Sequence, residues 1–292
     1  MIALSLPFPF DLPFMQRALL ASLIVGVFAP MIGTFLVQKR LALIGDGIGH
    51  VAFAGVGAGL LIVAALDEPQ DRAAMWPVWT ALAFAIVGAL GVEWLREHKR
   101  ASGDVALALL FYSGIALGVV LVSGANGLDA SILGYLFGQP LTVTDGEIAT
   151  IAVLGVAIVV MVLLLRRALF AVVTDEDWSR VAGLPSGGLN ALLAVAAACG
   201  VVAAMRVVGI LLVAALMVLP VASGQLLARS FRGTLGWSVA IGVLSVVVGL
   251  GFARVWNLAP GGTIVLIAAA IFGVVAAVKR TAPRALRQEE HG

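Results

Sequence analysis

Apolar stretches of about twenty residues follow one another along nearly the whole chain, separated by short polar connections. Runs such as that from Ile148 to Val160 carry no charge and do not alternate apolar with polar positions. Uninterrupted runs of this kind fit helices that cross a bilayer core and do not fit the alternating strands of a membrane barrel. The pattern predicts nine spans, at 14–37, 46–66, 75–95, 105–124, 148–165, 189–204, 207–228, 235–253 and 261–278. Only Met205 and Arg206 divide the sixth from the seventh, which are read as a tight outer hairpin or as one broken element. Within the connection 125–147, the stretch from Leu128 to Gly138 is too short to span but apolar enough to dip into the membrane. It predicts a re-entrant or interfacial helix.

Composition sharpens the class. Of 292 residues, 62% are hydrophobic and 12% charged, where a soluble domain carries about 25% charged residues. The chain is therefore expected to be an all-α, polytopic helical membrane protein forming one transmembrane domain over 1–292, with an inner connection at 166–188 and an inner tail at 279–292. Fourteen of the 18 lysines and arginines fall on one side of the predicted spans, which makes that side cytoplasmic. The N-terminus is then outside, the C-terminus inside, and the protein multi-pass in the cytoplasmic (inner) membrane. Residues 1–11 lack the basic start and cleavage pattern of a secretory signal, so the first span is expected to act as an uncleaved insertion signal. The formal excess of two positive charges is too small to argue for a nucleic-acid partner. Single Cys199 excludes an internal disulfide.

Candidate chemistry concentrates at Asp46 and His50. The two are four residues apart, so they share one helix face, and no other ionisable group follows until Asp67. Ionisable groups at membrane depth are expensive and usually mark a pathway or a site. Imidazole and carboxylate together form a plausible partial site for a divalent transition metal, weak enough to release a passing ion. Two other readings stand beside it: Asp46 caps the helix while His50 hydrogen-bonds inside the bundle, or the pair relays protons. Glu93 has Arg96 and Arg100 at helical spacing and reads as an interfacial salt bridge. The outer acids Asp11, Asp67, Glu68, Asp71, Asp129, Asp145 and Glu147 read either as loop solvation or as an acidic mouth that attracts cations.

The inner connection contains Thr174-Asp-Glu-Asp-Trp-Ser-Arg-Val-Ala-Gly183-Leu-Pro185. Thr174 as N-cap with acids in the first turn, then Gly183 and Pro185 as a stop, predict a short amphipathic helix. No lysine stands in a phosphate-binding loop, since the three lysines follow Gln38, His98 and Val278. The chain is not expected to bind ATP in that way; if it works with ATP, the motor is another polypeptide, and the chain itself is not expected to be an enzyme.

These residues resemble a known family. The stretch from Phe35 to His50 (FLVQKRLALIGDGIGH) with Gly55-Val-Gly-Ala-Gly59 is similar to the signature of permease subunits of zinc, manganese and iron ABC importers. Gly134-Tyr-Leu-Phe-Gly138, the Trp178–Gly183 loop and the stretch from Val208 to Ala222 fit as well. The resemblance implies a permease homodimer embedded in membrane lipid, two cytoplasmic ABC ATPase subunits, and an external solute-binding protein. It implies a transported divalent metal ion, with no permanently bound cofactor, passing Asp46 and His50. It makes Asp175, Glu176, Asp177, Trp178, Val181 and Gly183 part of a coupling helix that contacts the ATPase, and leaves Asp129 as a candidate outer gate. Gly49 and Ala54 stand where many relatives carry Ser and Pro, which leaves the metal preference open. The alternative from another class is a proton-coupled secondary carrier using the same Asp46 and His50.

Overall fold

The computed structural model describes residues 7–66, 75–98, 103–125 and 130–281, and every statement below concerns those residues. In chain order they form α1 (Pro13–Gln38), α2 (Ile44–Leu66), α3 (Trp76–Glu97), α4 (Gly103–Gly124), α5 (Ala130–Phe137), α6 (Asp145–Thr174), α7 (Glu176–Val181), α8 (Ser186–Met205), α9 (Val213–Leu227), α10 (Phe231–Trp256) and α11 (Pro260–Thr281), with a 3-10 turn at Pro140–Thr142. Eight of them are long and apolar enough to cross a membrane, and the fold is all-helical as expected.

The helix ends follow from local chemistry. Thr144 and Glu147 form a capping box at the start of α6: the Thr144 amide donates to the Glu147 carboxylate at 2.8 Å, and the Thr144 hydroxyl accepts from the Glu147 amide at 3.3 Å. Ser230 caps α10 by accepting from the Gly233 amide at 3.2 Å, and Asn257 closes the same helix in the left-handed conformation. α6 runs on to Thr174, nine residues past the expected end at Leu165, because Arg166 and Arg167 mark the edge of the apolar layer without ending the helix.

α1 and α8 lie at the centre of the bundle, while α3, α4, α6 and α11 turn much of their apolar surface outward. α2 is wedged between α3 and α4 and also meets α8 and α9. Its close approach to α4 depends on Gly114, where a Cβ would sit 2.8 Å from the Val51 amide nitrogen and 2.9 Å from the His50 carbonyl carbon. Small residues at such crossings replace the hydrophobic drive that is missing between helices in lipid.

The expected span at 207–228 needs correction. Only Val213–Leu227 is helical, and fifteen residues cover about 22 Å, short of a core about 30 Å thick. Residues 206–212 form irregular turns, so Met205-Arg206 marks the end of α8 followed by a non-helical connection. Part of that backbone is satisfied by α5, the helix expected in the connection 125–147, and by Gln139 just after it. The Ile210 amide donates to the Tyr135 carbonyl at 2.9 Å, Leu211 to Leu136 at 3.3 Å, and the Gln139 amide donates to the Arg206 carbonyl at 3.0 Å. Irregular backbone at membrane depth is tolerated only with partners of this kind.

Gly209 (φ 94°) and Gly138 (φ 75°) stand back to back at this junction, and a Cβ on Gly209 would collide with the Leu136 carbonyl. Gly209→Ala therefore combines a left-handed strain with a backbone clash. We expect it to lower stability by more than about 2 kcal/mol, read as loss of folded protein in detergent.

Candidate functional site

Asp46 lies in the first turn of α2 and His50 one turn further, as helix geometry requires. His50 is buried (8% exposed), while the Asp46 side chain is about a third exposed. The amides of Ile44 and Gly47 donate to the carbonyls of Leu41 and Leu43 at 3.0 and 3.2 Å, so two of the helix-start donors are satisfied by main chain. Asp46 is inside the first turn rather than at a capping position. His50 Nε2 stands 3.8 Å from Asp46 Oδ1. Two atoms bound tetrahedrally to one metal at about 2.1 Å lie roughly 3.4 Å apart, so a small rotation of either side chain brings both within reach of one ion.

The His50 ring packs edge-on to Phe111 of α4 with centroids 4.2 Å apart, which limits how the imidazole can turn. Asp46 lines a groove of about 340 Å³ between α2 and α4 whose other walls include Leu43, Leu107, Phe111 and Tyr112. The groove opens at the surface of the chain, where Leu43 and Tyr112 are each 70% exposed. Among the described residues no third His, Cys, Asp or Glu joins the pair.

Below this site the α1–α2 connection carries a second charged cluster. Lys39 Nζ donates to Glu93 at 3.2 Å and Arg96 donates to the same carboxylate at 3.0 Å. The expected Glu93–Arg96 pair is present, Arg100 lies outside the described residues, and Lys39 is a partner the sequence reading did not name. Burial pushes the Lys39 ammonium below its ordinary 10.5, with the Glu93 carboxylate opposing. A depressed folded value means the unfolded chain binds the extra proton, so stability rises as pH climbs toward 10.5. Lys39→Met should abolish that gain, measured as the change in unfolding temperature between about pH 7 and about pH 10.

On the opposite side, two of the outer acids are engaged rather than free. Asp145 pairs with Arg17 at 3.0 Å, and Glu147 pairs with Arg206 at 2.6 Å. The Arg206 guanidinium also lies 4.8 Å over the Tyr135 ring. Asp67, Glu68, Asp71 and the candidate gate Asp129 lie outside the described residues.

The helix expected in the inner connection is α7. Its N-cap is Asp175, whose carboxylate accepts from the Trp178 amide at 2.9 Å; Thr174, expected in that role, is the last residue of α6. Asp175 sits at the turn where the backbone leaves helical geometry (φ −149°), and Thr174 does not. Glu176 and Arg180 pair at 2.7 Å along α7, and Arg180 Nε donates to Ser186 at 3.0 Å. Ser179 is fully buried, and Gly183 ends the element at φ 81°. Trp178 and Val181, at 63% and 88% exposed, form an uncovered apolar tip beside Asp177.

Residues 11–279 match the ABC 3 transport family. The chain is 28% identical to the manganese transport system membrane protein MntC of Halalkalibacterium halodurans, over 89% of this chain and 86% of that one. It is 25% identical to the high-affinity zinc uptake system membrane protein ZnuB of Haemophilus influenzae, over 87% of this chain and 94% of that one. Among solved structures, PsaBC from Streptococcus pneumoniae in complex with Fab matches with a TM-score of 0.78 at 26% identity, covering 91% of both chains.

Proposed function

The chain belongs to the ABC 3 transport family, and from that premise we propose that it is the permease subunit of an ATP-driven importer of a divalent transition-metal ion across the cytoplasmic membrane. The observation that carries the reading is the Asp46–His50 pair, 3.8 Å apart, with Asp46 on the wall of an otherwise apolar groove and His50 buried one turn behind it. Manganese and zinc, the metals in the names of two relatives, are both compatible with mixed imidazole and carboxylate ligation. Two donors are too few to hold such an ion tightly, which suits a transit point.

A second copy of the chain meeting the first along the exposed α2–α4 groove would bring two further donors to the same ion. A homodimer is therefore part of the proposal. The uncovered tip of α7 supports docking to a separate ABC ATPase, since a tryptophan and a valine exposed beside acids suit a partner's groove better than water. The side carrying α7 is then cytoplasmic, in agreement with the lysine and arginine distribution. An external solute-binding protein delivers the ion to the opposite side.

Metal accumulation in cells tests the reading, with zinc, manganese, iron and cobalt supplied separately and the partner ATPase present or absent. Uptake of one metal that needs the ATPase is the expected result. Uptake that persists without the ATPase and collapses with the proton gradient would replace it with the secondary-carrier reading.

A further inference from the structure

A cavity of about 730 Å³ opens between α1, α6 and α10 on the arginine-rich side of the molecule. Arg166 and Arg167 of α6 and Arg232 of α10 line it, together with the apolar side chains of Phe170, Phe231 and Leu235. No acid among the described residues forms an ion pair with any of these three arginines. Several other cations on the same side are paired instead: Arg96 and Lys39 share Glu93, and Arg180 pairs with Glu176.

The depth of the cavity identifies what fits it. The apolar run of α6 at 148–165 spans about 27 Å, close to the thickness of a bilayer core, and Arg166 and Arg167 follow it directly. Arg232 lies in the first turn of α10, just before the apolar run at 235–253. All three arginines therefore lie at headgroup level, with the Phe170–Phe231 ring pair (4.6 Å between centroids) just outside them and Met31, Leu235 and Val239 forming an apolar wall on the core side. The N-terminus of α10 adds its positive end to the same place.

A soluble anion would use the arginines and leave the apolar wall wet. A phospholipid uses both, with its phosphate among the guanidinium groups and its first acyl carbons against the wall. The geometry points to a binding site for an anionic phospholipid of the leaflet on the arginine-rich side. The ordinary excess of basic residues at inner helix ends accounts for the charges but not for their convergence on one cavity with an apolar wall.

The full chain, purified in detergent, is offered phosphatidylglycerol, phosphatidylcholine or inorganic phosphate at matched concentration. Retained lipid is read by native mass spectrometry and protection by thermal unfolding. Phosphatidylglycerol should be retained and raise the unfolding temperature, while phosphatidylcholine and phosphate do neither. The triple variant R166Q/R167Q/R232Q should lose retention at least about tenfold. Gly236→Leu fills the cavity without touching a charge, since a Cβ there meets nothing within 4 Å, and should lose retention while the protein stays folded. Arg229→Gln, on an exposed residue outside the cavity lining, should retain the lipid. Equal retention of the two lipids, equal protection by phosphate, unchanged retention in the triple or the Gly236 variant, or equal loss on Arg229→Gln would each overturn the assignment.

Discussion

Replacing His50 or Asp46 by alanine is expected to reduce metal uptake on the order of 100-fold, equivalent to roughly 2.8 kcal/mol at 1.4 kcal/mol per decade, while membrane insertion is unchanged. The imidazole and the carboxylate are the two candidate donors, the carboxylate on the wall of the α2–α4 groove and the imidazole buried beside it, and neither carries an ion pair elsewhere among the described residues that would fail with it. His50→Ala leaves a void beside Phe111, so folding is checked separately by the thermal unfolding of the purified variant. Asp46→Glu should restore part of the uptake, because it moves the carboxylate by one methylene and keeps the charge. Asp46→Asn should not, since an amide is a far weaker ligand for a transition metal. Wild-type uptake in both alanine variants would reduce the pair to a structural role.

The second large effect is expected at the tip of α7. Val181→Asp places a charge on a side chain that is 88% exposed and has nothing to lose by way of packing, so the isolated permease should fold normally. In the complex the same carboxylate would have to be desolvated against the ATPase. Transport should fall at least about tenfold, and the ATPase should no longer co-purify with the permease. Trp178→Ala at the same tip should weaken recovery of the complex in the same direction, since exposed aromatic anchors often carry a disproportionate share of interface energy. Recovery of an intact complex with both variants would remove α7 from the coupling contact.

The spans were legible wherever composition and path coincide. α1, α2, α4 and α11 fall within a few residues of their expected places, because twenty apolar residues without a charge leave a membrane helix as the only economical backbone. Hydropathy failed at 207–228, where the side chains are as apolar as in any span but the backbone bends at Gly209. The hint was a glycine in each of the two facing segments, at 138 and 209, and pairing them requires the fold. The end of α6 was misplaced for the opposite reason: arginines report where lipid ends, and a helix can continue into water.

At the candidate site, the spacing of Asp46 and His50 already placed both on one face. The structure adds the groove, the contact of His50 with Phe111 and the exposure of that side. Nothing local in the sequence could place Lys39 beside Glu93, 54 residues away, because that pairing depends on how α1 and α3 pack.

The junction between α5 and residues 206–212 has a bearing on how the protein is made. α9 is missing its N-terminal turns, and the carbonyls of Tyr135 and Leu136 supply partners that those turns would have found within a helix. α5 emerges from the ribosome some seventy residues ahead of the segment it completes. Its partner groups are thus already made when 206–212 arrives, and α9 can settle at its final depth without exposing bare peptide to lipid. A circular permutation that placed α9 before α5 would keep every helix and every side chain, yet would require the unsatisfied segment to wait in the bilayer for its cover.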